Sequence, residues 1–410
     1  MKLKYFKSPF TIILLGVAVS FFSEVSAETH VMQPSEKQSL VPLSEILTRS
    51  LNRVSTDTEI AKYQSSTWLA TSPTVGFSYL SSQEDFGSDE TEISINLAIK
   101  SGLQRDIDRR LTKLNKQIQS QQSELGKLYF SGLIRESLWS YKIAKANQTY
   151  IQKKLSVLQQ LQNNSELLVV AGETSDYGLL LVKKEIINTQ LKALENRQEL
   201  QKWEDQYQAV TGQLINSGNH MPDIIEEKLL SSQVNPSNHP KMLMLSSQWQ
   251  QQKLMIKENS SSADPWTLSA LAKTIETQGI QDKQVGVSFE MPISLVEANS
   301  QSIQNQSSQS KAKFELEYQQ NLLALNQQIN KNMSERRFLL EKQSLLESSL
   351  ELSKKIMRQI EHLKAQNEMG QELVLRRVID AIEIQNENAM IKILIHQNNS
   401  LLRQAAGLSL

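Results

Sequence analysis

The chain has 410 residues with 44 Lys plus Arg against 44 Asp plus Glu and no cysteine, so it offers neither a charge excess for nucleic acid nor a disulfide framework. Gly and Pro together number only 23 and aromatics 6%, while Gln, Asn, Ser, Glu and Lys abound. That is a composition of long helices with few turns. A hydrophobic share of 39% is low for a globule of this size, so periodicity must separate long helices from disorder.

Residues 1–27 read as a secretory signal. Lys2, Lys4 and Lys7 give the basic start, Phe10 to Phe22 the apolar stretch and Val25-Ser26-Ala27 the cleavage site. The apolar stretch is shorter than the roughly 20 residues a spanning helix needs, which leaves a retained anchor as the weaker alternative. Cleavage would leave 41 basic against 43 acidic side chains, and no Cys stands ready for lipidation.

In the first repeat, expected over 28–215, Leu43-Ser44-Glu45-Ile46-Leu47 opens a helix. Val75, Phe77 and Tyr79 then alternate with Gly76 and Ser78, and Ile93, Ile95, Leu97 and Ile99 with Ser94, Asn96, Ala98 and Lys100. Period two with one apolar face predicts strands at about 74–80 and 91–100, joined through Ser81 to Thr91. From Gln104 to about Gln213 no Pro interrupts helix formers, and Ile187, Leu191, Leu194, Leu200, Trp203, Tyr207 and Val210 trace a narrow seam in steps of three and four. Gly172, inside Ala171 to Asp176, is the stop signal that turns this stretch into a hairpin.

A linker over 216–240 holds Gly218, Pro222, Pro236 and Pro240. The second repeat, 241–410, follows the same plan. Its helix starts at His239-Pro240-Lys241-Met242. Trp266, Leu268 and Ala270, then Val285, Val287, Phe289 and Met291, predict strands at about 266–275 and 284–292. A second hairpin has its tip near Gly370, within Asn367 to Gln371, and ends on a seam of Leu394, Asn398, Leu401, Ala405 and Leu408. Each tip lies roughly 50 Å from a starting aromatic, Trp139 or Phe338, at the helical rise. Lys100 matches Pro292 and Gly172 matches Gly370, so the plainest account is internal duplication.

Strands with one apolar and one polar face suit a transmembrane barrel, because every backbone group in lipid must be paired within a closed sheet. Four strands do not close. The subunit therefore shares a barrel with copies of itself, eight strands for a dimer or twelve for a trimer, and the hairpins extend it as a water-filled tube.

The order of signal, ribbon, hairpin, linker, ribbon and hairpin resembles the TolC-like outer-membrane efflux family across essentially the whole mature chain. Leu43 to Leu47, His239 to Met242, and Gly286-Val287-Ser288 leading to Met291-Pro292-Ile293 carry the resemblance. It implies a mainly α protein with a small β part. As a homotrimer this would form a 12-stranded transmembrane β-barrel continued by a periplasmic α-helical barrel in the cell outer membrane. The implied partners are itself, outer-membrane lipid, a periplasmic adaptor and an inner-membrane RND or ABC transporter. The implied role is the passive exit duct of a tripartite efflux pump or type I secretion system. Departures are Ser294-Leu295-Val296-Glu297-Ala298 after Pro292-Ile293, and Arg377 at a position often acidic in relatives, which counts against an acidic ring at the tip.

Gly172 and Gly370 are the expected adaptor-contacting tips. Arg377 and Asp380, three apart on one helical face, are the expected tunnel gate. His239, Met242 and Met244 have soft-metal chemistry, but Pro240 starts a helix there and methionines fill cores, so no metal or other cofactor is expected. The other histidines, His30, His220, His362 and His396, are scattered. Glu226 and Glu227 are expected to face water in the linker. No G-x-S-x-G, P-loop or dinucleotide fingerprint occurs, so no enzyme is expected. Two other readings compete with the channel: a periplasmic adaptor, which has one hairpin between Gly-rich β-domains, and an exported coiled-coil scaffold without a pore. Drugs, metal ions and polypeptides all stay open as cargo.

Overall fold

The computed structural model describes residues 43–54, 66–84, 86–172, 176–213, 221–224, 227–228, 234–258, 265–292, 301–365 and 371–410. The expected signal, Gly370 and the segment after Pro292 lie outside them. The elements are α1 (Leu43–Val54), β1 (Thr74–Leu80), β2 (Ser88–Ile99), α2 (Gly102–Val170), α3 (Asp176–Thr211), α4 (Pro240–Glu258), β3 (Trp266–Thr277), β4 (Ile280–Glu290), α5 (Gln301–Ala365) and α6 (Gln371–Ala405). They fall into two compact units, one within 1–55, 126–234 and 326–410, the other within 56–125 and 235–325.

The second unit holds the sheet. Its four antiparallel strands run in the order β1-β2-β3-β4, with β2 and β3 paired along their full 12 residues, so the two ribbons expected from sequence are one sheet. β3 and β4 are joined by two residues, Gln278 at φ 50° and Gly279 at φ 82°, as a type I′ hairpin turn requires. The sequence reading, with strands at about 266–275 and 284–292, leaves Glu276 to Lys283 between them as a connection, and this is corrected. Glu276, Thr277, Ile280, Gln281 and Asp282 are paired strand residues, mostly polar on both faces and so silent in an alternation pattern. In the same unit, Gln251 of α4 donates to Asn115 of α2 at 2.6 Å, and Trp249 stacks on Phe314 of α5 at 5.2 Å.

Among the described residues the helical unit buries four sets of apolar side chains. Ile46 and Leu47 of α1 meet Ile134, Leu138 and Trp139 of α2, Tyr207 of α3, and Met221 and Ile224. Leu158 of α2 meets Val182 and Ile186 of α3 and Leu375 of α6. On its other side α6 sets Ile391 against Leu339 and Leu346 of α5, and Val374 and Ala381 against Met357 and Ile360. Both seams match the sequence reading only in part, with Leu200, Tyr207, Asn398 and Ala405 buried as expected. On α6 the buried line is Ile391, Asn398, Leu402 and Ala405, and Leu401 and Leu408 face out. On α3 the buried line is Val182, Ile186, Thr189, Leu200, Tyr207 and Thr211, and Ile187, Leu191 and Leu194 are exposed. Each helix thus carries more apolar surface than its own chain covers. α6 stops in a Schellman motif, with Leu408 N bonded to Arg403 O at 3.0 Å, Gly407 N to Gln404 O at 3.1 Å and Gly407 at φ 82°.

Candidate functional site

The sheet is inverted relative to that of a water-soluble protein. The register puts Val75, Ile95, Ala270 and Val287 in one cross-strand row and Phe77, Ile93, Ala272 and Val285 in the next, all on the same face. That face is bare: Val75 is 72% exposed, Phe77 71%, Val285 85% and Val287 74%. Tyr79 flanks it at one end, and Trp266 and Phe289, with ring centroids 6.0 Å apart, flank it at the other, like the aromatic girdles of a membrane barrel. The opposite face carries Thr74, Asn96, Ser269 and Ser288 in one row and Gly76, Ser94, Leu271 and Gly286 in the next. A Cβ on Gly76 would lie 2.6 Å from Ser94 Oγ, so glycine there keeps the polar face close-packed. Among the described residues no helix is long and apolar enough to cross a membrane.

In the helical unit, Gly172 ends α2 at φ 72° with open space around it, and Leu167, Val170, Tyr177 and Leu180 nearby are all more than half exposed. Two apolar stripes with heptad steps run along the helices. On α3, Leu180, Ile187, Leu191 and Leu194 are each more than half exposed, and on α5 Phe338, Leu345 and Leu352 are likewise.

Arg377 Nη1 and Asp380 Oδ2 are 3.3 Å apart, with side chains 47% and 45% exposed, so the pair is solvated and weak. One turn further along α6 stands a firmer junction that the sequence reading missed. Lys154 of α2 is only 2% exposed, and its Nζ lies 2.8 Å from Glu185 of α3 and 3.2 Å from Glu383 of α6. Burial pulls the Lys154 pKa down, but the hydrogen bond to Glu185 and the neighbouring acidic groups outweigh it and the net shift is upward. Burial is also the main cause that raises the adjacent Tyr150 phenol.

A second missed cluster corrects the expectation for Glu227, whose side chain is only 13% exposed and turned into the protein rather than to water; Glu226 lies outside the described residues. Arg135, 2% exposed, donates to Glu227 through Nη2 at 2.6 Å and Nε at 2.9 Å, and through Nη1 to Gln404 Oε1 at 2.5 Å and Leu408 O at 2.9 Å. Arg403 Nε reaches Glu227 at 3.1 Å, and Trp139 Nε1 donates to Ser400 Oγ at 2.9 Å. Burial raises the Glu227 pKa, but hydrogen bonds from Arg135 and Ser400 and the charges of Arg135 and Arg403 hold it below the usual value. Gly132 makes room: a Cβ there would sit 2.9 Å from Gln404 Nε2. No sequence pattern signals this cluster, because Arg135 and Glu227 are 92 residues apart.

His239 is buried and its Nδ1 accepts from Lys241 N at 3.1 Å, so it caps α4. Burial, and then the charge of Lys241, lowers its pKa. Among the described residues no group of three His, Cys, Asp or Glu is placed to hold a metal.

No family model matches the sequence, and no curated protein matches it. Solved structures do. The outer membrane protein VceC of Vibrio cholerae aligns over 97% of this chain and 96% of its own at 14% identity, with a TM-score of 0.60. The Campylobacter jejuni CmeC outer membrane channel aligns over 97% and 86% at 13% identity and 0.60. The open state of the Neisseria gonorrhoeae MtrE outer membrane channel aligns over 98% and 89% at 13% identity and 0.55. With mainly helical structure, one antiparallel four-stranded sheet and this coverage, the chain has the TolC-like fold of outer-membrane factor channels.

Proposed function

We propose that this protein is a non-catalytic subunit of an outer-membrane channel whose helices extend into the periplasm as a conduit. The inverted sheet carries the reading. Four strands with a bare apolar face, aromatic residues at both ends and a polar opposite face fit lipid on one side and water on the other. β1 and β4 are edges within the chain, and an edge in lipid must be paired, so β1 of one copy meets β4 of the next. Such a head-to-tail contact closes a ring, and three copies give twelve strands. The bare stripes on α3 and α5 supply a second pair of unlike surfaces for the same ring.

The apolar collar around Gly172 is our candidate contact for a periplasmic adaptor, joined by Gly370 at the second tip. The adaptor would link the duct to an inner-membrane RND or ABC transporter, which supplies the energy while the duct conducts passively. Arg377 and Asp380 are assigned to the tunnel gate as a solvated contact supporting the Lys154 junction. Unchanged single-channel conductance in both Arg377→Ala and Asp380→Ala would remove that role.

The deciding experiment is planar-bilayer recording of the signal-cleaved protein, with its mass determined in the same micelles. Discrete steps from a homotrimer are expected. A soluble monomer, silent in bilayers, would overturn the channel and favour an adaptor.

A further inference from the structure

The strand register fixes which charges would line such a channel, and they are not balanced. On the polar face, Glu92 pairs across to Lys273, which pairs to Gln284, and the next row outward holds Glu90, Ile275 and Asp282. Glu290, paired with Thr267, stands on the same face at the other end, about 20 Å away along β3 at the strand rise. Between these levels the rows are neutral and mostly small. Among the residues of the four strands Lys273 is the only cation on this face, and its Nζ is taken by Glu90 at 2.6 Å. Lys283 is on the apolar face, opposite Thr274. Each copy thus leaves Glu92, Asp282 and Glu290 unbalanced on the polar face, repeated around the ring by symmetry.

Resting on the channel reading, we infer that the strand-lined part of the conduit is a cation-selective filter, with Glu92 and Asp282 at its outer level, Glu290 at its inner level, and Lys273 as the residue that limits its strength. A low-dielectric wall carrying one sign of charge concentrates counter-ions and excludes co-ions. Selectivity therefore resides in the sheet, independently of the helical tip, where Arg377 stands.

The test is the reversal potential of single channels of the full-length assembled protein under a KCl gradient. Wild type is expected to pass K⁺ over Cl⁻ by several-fold. The Glu92→Gln, Asp282→Asn, Glu290→Gln triple variant should fall toward equal permeability, and Lys273→Gln, which frees Glu90, should raise the preference. A wild-type channel with no cation preference, or a ratio unmoved in these variants, overturns the filter and leaves the channel standing. Absence of conductance from intact wild-type oligomers removes the channel and the filter with it. Should the triple variant not assemble, Lys273→Gln decides alone, because its effect has the opposite sign.

Discussion

Cutting the Arg135–Glu227 pair from either side gives unequal losses, and the structure says which is larger. Removing one member of a buried ion pair costs about 3–5 kcal/mol, chiefly because the other charge is stranded. In Arg135→Met the stranded group is Glu227, 13% exposed, which keeps Arg403 at 3.1 Å and can take up a proton. The loss should sit near the lower figure. In Glu227→Leu the stranded group is the Arg135 guanidinium, 2% exposed, left with Gln404 Oε1 and Leu408 O and unable to deprotonate. The loss should sit near the upper figure, and the double variant should recover part of it. Because the folded pKa of Glu227 lies below its ordinary 4.5, its stabilisation is fully present above that pH and is lost as pH falls through the folded value. Glu227→Gln should flatten the wild-type decline in that window. The assay is denaturant unfolding of the full-length protein in detergent, followed by circular dichroism and by tryptophan emission, since Trp139 reports from the cluster. Equal losses for the two single variants, or losses under about 1 kcal/mol as at an exposed pair, would refute the reasoning.

Charge on the two faces of the sheet should have opposite consequences. Val287→Arg, on the bare face, is expected to cost about 2–4 kcal/mol in the bilayer and to abolish outer-membrane assembly, while Ser288→Arg, one residue on, should assemble and lower conductance; both are read by membrane fractionation and bilayer recording. Ile187→Glu with Leu191→Glu on α3, or Leu345→Glu on α5, should release monomers by native mass without loss of helicity by circular dichroism, because none of these side chains is buried in its own chain. His239→Ala should cost about 1 kcal/mol as a lost cap. Since the folded pKa of His239 lies below 6.5, its contribution is present above that pH and fades as pH falls toward the lowered value. His239→Asn should keep the cap and lose this pH dependence in thermal melts.

The strands were legible where one face is apolar and the other small, as at Val75 to Tyr79 and Ile93 to Ile99. They were not legible at Ser88 to Glu90 or Ile280 to Asp282, where most side chains are polar and only backbone pairing marks a strand. On the helices, spacing alone selected Ile187, Leu191 and Leu194, a stripe that its own chain leaves open, and passed over Val182 and Ile186, which it buries. A helix with two apolar lines gives one periodicity, and the period does not say which line meets which partner. Lys154, Arg135 and Glu227 were hidden for another reason. Buried charges are rare among Lys, Arg and Glu, so nothing in the spacing singles out Lys154 or Arg135, and Glu227 is expected to face water.

Those buried charges also address a problem that narrow seams create. A stripe of aliphatic side chains resists sliding poorly, because a shift of one turn, about 5.4 Å, still sets apolar groups against apolar groups. Polar pairs do not tolerate that shift. Asn398 Nδ2 bonds Asn332 O at 3.1 Å while Asn332 Nδ2 bonds Leu401 O at 3.3 Å, which fixes α6 against α5. Lys154 fixes α6 and α3 against α2, and Arg135, reaching Glu227, Gln404 and Leu408 together, fixes the end of α6 against α2. A slip of one turn would strand buried groups at all three levels, each at a cost of about 1–3 kcal/mol or more. The helices therefore have one axial alignment within the chain, which holds their unburied apolar stripes in fixed positions for the proposed contact with another copy.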